Sequence, residues 1–196
     1  MKKLKTAAAA ATLILSAALI APAFAEVSPE DMKRGAEIMK QNQDMMKPEL
    51  LEKVRALPPE TKKFLTGAMS KHERLSKTLT LRQAMQDIPS DYQAVGAAIA
   101  VDNGARAAYS ARRIANHTLP KGGILPYLPL DKINGEVLSV LPTMEVLVEG
   151  GAAKLAAAAE QGDMATAARL YGDLTVGCVT CHAHFRGQPG VSPLLK

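Results

Sequence analysis

Residues 164–185 place Met164, Ala167, Tyr171, Leu174, Cys178, Cys181 and Phe185 at successive intervals of 3, 4, 3, 4, 3 and 4. That is an a/d seam, the stripe a helix shows when it packs against other helices in a bundle. It constrains the fold more than any other feature. A helix with such a stripe must bury it, and the cysteines lie on it. His182 follows Cys178 by one helical turn and so faces the same side.

The rest of the chain agrees. Ala, Leu, Met, Glu, Lys and Gln dominate, and no segment alternates like a strand over a useful length. Ser28 reads as an N-cap, with Pro29 at the first helical position and acidic residues behind it, for a helix running to about Met46. Lys47-Pro48 breaks it, and a short amphipathic piece follows over 49–57. Pro58-Pro59 opens a longer helix over 60–88, kinked or ended by Pro89, and 90–101 continues to a turn at Asp102-Asn103-Gly104. Residues 105–119 form the next helix. The stretch 121–142, with two adjacent glycines and several prolines, reads as a crossover with one short helix. Thr143 to about Gln161 is helical, Gly162 ends it, and Asp163 caps a last helix to about Arg186.

The N-terminus addresses the chain. "MKKLK" is basic, the run that follows is apolar but short, and "AFA" before Glu26 is a small-residue cleavage signature. Residues 1–25 therefore read as a secretory signal peptide, and the expected compartment is the periplasm, with no membrane attachment after cleavage. The mature chain, 26–196, has 21 Lys and Arg against 19 Asp and Glu. A surface so nearly neutral, without a basic run or basic-aromatic interleaving, gives no support for nucleic-acid binding. Its mildly basic balance, a net charge of +2, suits docking of an acidic redox partner. Aromatics are scarce, with no Trp, three Phe and four Tyr. One explanation is that part of the bulky core filler is not amino acid.

The two cysteines of the chain stand in "GCVTCHAHFRG", at 178 and 181 with His182 directly behind. C-x-x-C-H is the attachment signature of a c-type haem. Two thiols at this spacing reach the two vinyl groups, and the following imidazole is held over the porphyrin face. Three other readings fit less well. A thioredoxin-like pair sits at a helix N-terminus in a βαβ unit, whereas these cysteines are near the end of a helix. A disulfide between i and i+3 on one helix constrains almost nothing. A zinc site needs a fourth ligand from His72, His117 or His184, and there is no second paired motif.

With a secretory start and "CVTCHAHFR" close to the C-terminus, residues 72–187 resemble the class II cytochromes c, the cytochrome c-prime and cytochrome c-556 group. "AAAAEQGD" at 156–163 is similar to that family's last inter-helix turn. The resemblance implies an antiparallel four-helix bundle with one covalent haem c. It also implies one-electron transfer with periplasmic partner proteins and pairing into a homodimer. Some members of the family instead leave iron five-coordinate and bind nitric oxide or carbon monoxide. No nucleophile–base pair or carboxylate dyad accompanies the motif, and an enzyme is not expected.

In that family the residue facing iron opposite the histidine comes from the first bundle helix, about one turn after an arginine. Arg82 with Met85 gives a bundle of family size, although the position four residues after Arg82 is Gln86. Arg34 with Ile38 and Met39 is the other register. No protein ligand, His72 or His117 are further choices. Arg82 is either a partner of a haem propionate or a solvated cation. His72, in "SKHERLSK", reads as a solvated-face residue, His117 as a helix C-terminal residue near the dipole, and His184 as a surface residue. The expected architecture is all-α: a helical extension at 26–58 and a haem-binding four-helix bundle at 59–196.

Overall fold

A computed structural model describes residues 27–185 and 190–196. The signal-peptide reading of 1–25 and the reading of Arg186 lie outside the described residues. Within them the chain is all-helical, with two isolated bridges in place of any sheet. No described helix is long and apolar enough to cross a membrane.

The local signals act as expected at the N-terminus. Helix α1 spans Pro29–Asp44, and the Ser28 hydroxyl accepts from the Asp31 amide at 3.1 Å. Prolines open α2 (Pro48–Ala56) and α3 (Pro59–Ser70), where a missing N–H costs nothing.

The long helix expected over 60–88 is instead two helices. Residues 71–80 leave α3 and run extended beside 117–121: Ser76 donates to the Leu119 carbonyl, Leu119 to that of Arg74 and Lys121 to that of Leu79. A new helix, α4 (Leu81–Ala100), then starts on a capping box. The Gln83 amide donates to the Thr80 hydroxyl at 3.3 Å, and the Thr80 amide to the Gln83 side chain at 2.8 Å. Pro89 neither ends α4 nor interrupts its run. It only removes the donor that the Met85 carbonyl would otherwise receive.

Helix α5 (Gly104–Ala115) is followed by a crossover holding two single turns, Leu125–Tyr127 and Leu130–Lys132, and the short α6 (Gly135–Leu138). Helix α7 (Leu141–Glu145) passes through one wide i→i+5 turn, Val146–Gly150, into α8 (Gly151–Glu160). Gly162 takes a φ of 75°, and Asp163 accepts from the Thr166 amide at 3.0 Å to start α9, Met164–Phe185.

Two cores result. In the first, α4, α5, α8 and α9 close a ring around Val95, Ala107, Ala111, Leu155, Ala159, Ala167 and Leu174. Alanine allows the backbones to approach closely. The α4–α5 and α8–α9 turns share one end, where a Cβ built on Gly104 would lie 2.4 Å from the Ala159 carbonyl oxygen. Tyr92 meets Thr175 while Gly96 meets Tyr171, so α4 and α9 are antiparallel. The second core joins Ile38, Leu50, Val54, Leu65 and Met69 of α1–α3 to Leu125, Leu128 and Leu138 of the crossover. Helices α1 and α2 thus share this second core with α3 and the crossover. Helix α3 packs on α1, and both share a core with the crossover. Residues 190–196 close this half, with Lys47 donating to the Leu194 carbonyl and Lys196 to that of Met45.

Candidate functional site

The a/d stripe of α9 is buried or half-buried at every position, and it links the two cores. Cys178 packs against the four-helix core and Cys181 against the N-terminal core. Where the cores meet, a cavity of about 350 Å³ opens. That falls in the size range of cofactor and small-molecule sites. Cys178, Cys181 and His182 all line it. Met85, Ile88 and Pro89 of α4 line it as well, together with Met69 of α3 and Met144 and Val148 of the α7–α8 run.

Both cysteines are free and half-buried. Burial pushes the Cys178 thiol above its ordinary value; burial does the same at Cys181, with Cys178 adding to it. A dithiol oxidoreductase needs the opposite shift, a depressed thiol pKa. The cavity offers what a c-type haem requires: largely apolar walls, two protonated thiols three residues apart on one helix, and an adjacent imidazole. His182 is exposed at the rim.

The sequence-derived candidates separate here. Met85 is on the cavity wall. Met39 and Ile38 are buried in the N-terminal core instead, and Arg34 donates to the His72 carbonyl at 2.8 Å, so that register faces away from the cavity. Arg82 is exposed and outside the lining. His184 does not lie on the surface: it is half-buried, with Nε2 3.4 Å from the Val137 carbonyl and its ring edge-on to Phe185. His72 is the largest correction. It is 2 % exposed, because the 71–80 segment folds inward onto 117–121.

His72 brings with it a group the sequence did not announce. Its ring lies edge-on to His117, with centroids 4.8 Å apart, and its Nε2 is 3.4 Å from Glu149 Oε1. All three residues line the cavity, and one ligand atom from each lies within 4.8 Å of the others. Glu149 is on the wide turn between α7 and α8, a helix irregularity common at functional sites. The His72 pKa is raised: burial opposes the charge, but the hydrogen bond and negative charge of Glu149 outweigh it. That of His117 is lowered, chiefly by burial.

Fold and site together define an all-helical protein with a two-core body and a motif-lined cavity at the junction. Compared with family models, curated proteins and solved structures, the chain matches none.

Proposed function

We propose that this chain is an exported, periplasmic mono-haem c-type cytochrome of the class II kind, working in one-electron transfer. The observation that carries the reading is that Cys178, Cys181 and His182 line one cavity between two cores. A bound haem would supply an iron that cycles between two oxidation states. Cys178 and Cys181 would tether it, His182 would be a ligand to the metal, and Met85 is the candidate second ligand. Ile88, Val148 and Met69 give the site apolar walls, and burial of that kind would help set the potential. The exposed rim at His182 and Val179 gives partner proteins an edge for electron exchange.

The test is the mass and visible spectrum of the chain exported from a host that matures c-type cytochromes. A mass increased by one haem, retained under denaturing conditions, with sharp reduced-state bands, is the expected result. A colourless product with the mass of the bare polypeptide overturns the reading.

A further inference from the structure

Histidine 72 has both ring nitrogens aimed at acceptors. Nδ1 is 3.1 Å from the His117 carbonyl oxygen, and Nε2 is 3.4 Å from a carboxylate oxygen of Glu149. A neutral imidazole has only one N–H. Something positive must therefore stand on the Nε2 side: a proton or a metal ion.

We propose that His72, His117 and Glu149 form a binding site for a divalent transition-metal ion on the wall of the cavity. Three observations converge on it. The first is distance. A protonated imidazole paired with a carboxylate is ordinarily about 2.7–2.9 Å away, and 3.4 Å is longer than that. For this pair it is close to the roughly 3.4 Å edge between two ligand atoms about 2.1 Å from one tetrahedral centre; the three ligand atoms together spread to 4.8 Å, so the side chains would draw in on binding the ion. The second is orientation. Nδ1 of His72 faces the His117 carbonyl at 3.1 Å, and Nδ1 of His117 faces the Ile114 carbonyl at 3.3 Å. Carbonyls at Nδ1 fix the tautomer that leaves Nε2 as the ligand, the usual supporting arrangement of metal-bound histidines. The third is donor chemistry. Two imidazoles and one carboxylate suit zinc or ferrous iron and leave coordination positions open, and all three residues line the cavity.

The rings are supplied by the segments just after α3 and α5, and the carboxylate by the wide turn before α8. Metal binding would therefore pin three segments that are far apart in sequence. The site shares the cavity with the cysteine motif but takes none of its ligands from it, and the zinc test does not require haem to be bound.

Zinc is the probe. The purified full-length mature chain, stripped with chelator, is titrated with Zn²⁺ by calorimetry, and the loaded protein is measured at the zinc absorption edge. One zinc per chain is expected, with nitrogen and oxygen scatterers at about 2.0–2.1 Å and no sulfur at about 2.3 Å. His117→Gln and Glu149→Gln are expected to weaken binding at least about tenfold, the low end of what losing even a supporting contact costs a metal site. Cys178→Ser/Cys181→Ser is expected to lose any haem and keep the zinc. No zinc bound by the wild-type chain, or a sulfur shell in its absorption spectrum, overturns the proposal; neither result needs a variant to fold. Unchanged affinity in a folded Glu149→Gln chain overturns it too. Colourless protein that still binds zinc through nitrogen and oxygen refutes the haem reading alone.

Discussion

Tyr92 of α4 and Tyr171 of α9 stack with ring centroids 4.4 Å apart and planes inclined by 18°. Beside them, the Tyr92 hydroxyl lies 2.5 Å from Thr175 Oγ1. Thr175 donates its own proton to the Tyr171 carbonyl at 2.8 Å, so Tyr92 is the donor. This pair fastens the first bundle helix to the helix that carries the cysteines. Burial, then the Tyr92 hydroxyl, push the Tyr171 phenol above its ordinary value. Tyr92→Phe keeps the stack and removes the hydrogen bond. It is expected to cost about 1 kcal/mol and to lower the melting temperature by about 2–4 °C. A thermal melt followed by circular dichroism checks it.

The opposed histidines predict a pH dependence in chelator-treated protein. The folded pKa of His72 is above its ordinary 6.5, because Glu149, with Glu145 further off, outweighs burial. Its protonated form thus stabilises the fold fully below pH 6.5, and that stability fades as the pH rises through the folded value. The folded pKa of His117 is below 6.5, through burial first, with His72 and Arg74 also lowering it and Glu149 resisting. It makes the opposite demand: its stabilisation is present above pH 6.5 and is lost on acidification. Glu149→Gln removes the carboxylate that raises His72. The variant is therefore expected to lose more stability, relative to wild type, at pH 5.5 than at pH 8.5. Urea denaturation at the two pH values measures it, and an equal loss at both rejects the assignment.

Within the N-terminal core, α1 and α3 approach each other closely. A Cβ built on Gly35 of α1 would lie 2.0 Å from the Thr66 carbonyl oxygen of α3, and backbone cannot rotate away as a side chain does. Gly35→Ala must push α1 off α3. The expected cost is about 1–3 kcal/mol, typical of overpacking. If α1–α3 are integral to the fold, one cooperative transition should shift to lower denaturant. An early separate phase with the main transition unmoved would show an independent appendage.

Much of this was readable beforehand, and the parts that were not share a cause. The stripe on α9, the proline starts of α2 and α3, Gly162 as a helix stop and Asp163 as a cap all rest on interactions within a few residues. Local pattern suffices for these. The break at 71–80 also has a local sign, the Thr80-x-x-Gln83 capping box, set between two stretches that favour helix. The burial of His72 had none. Its neighbours Lys71, Glu73 and Arg74 are charged, and what draws it in is pairing with a segment more than forty residues away. The same holds for Leu125, Leu128 and Leu138, buried without periodicity, and for the union of His72, His117 and Glu149. Spacing along a chain carries no information about segments joined only by tertiary packing.

Met85 offers the sharpest test of the cavity's chemistry. It is the methionine on the α4 wall, and the Pro89 that follows one turn later leaves its carbonyl without the usual helical donor. Met69 and Met144 also line the cavity, so methionine alone does not single it out. If Met85 Sδ binds the haem iron opposite His182, the wild-type chain gives a low-spin spectrum that carbon monoxide leaves unchanged in the oxidised protein and perturbs only slowly when reduced. Met85→Ala then gives a high-spin spectrum and rapid carbon monoxide binding, while Met69→Ala and Met144→Ala keep the wild-type bands. A wild-type chain that is already high-spin and takes up the gas at once assigns the protein to the five-coordinate, gas-binding kind instead. A low-spin spectrum unaltered by Met85→Ala transfers the ligand role to another residue lining the cavity, with His72 and His117 the next to be replaced.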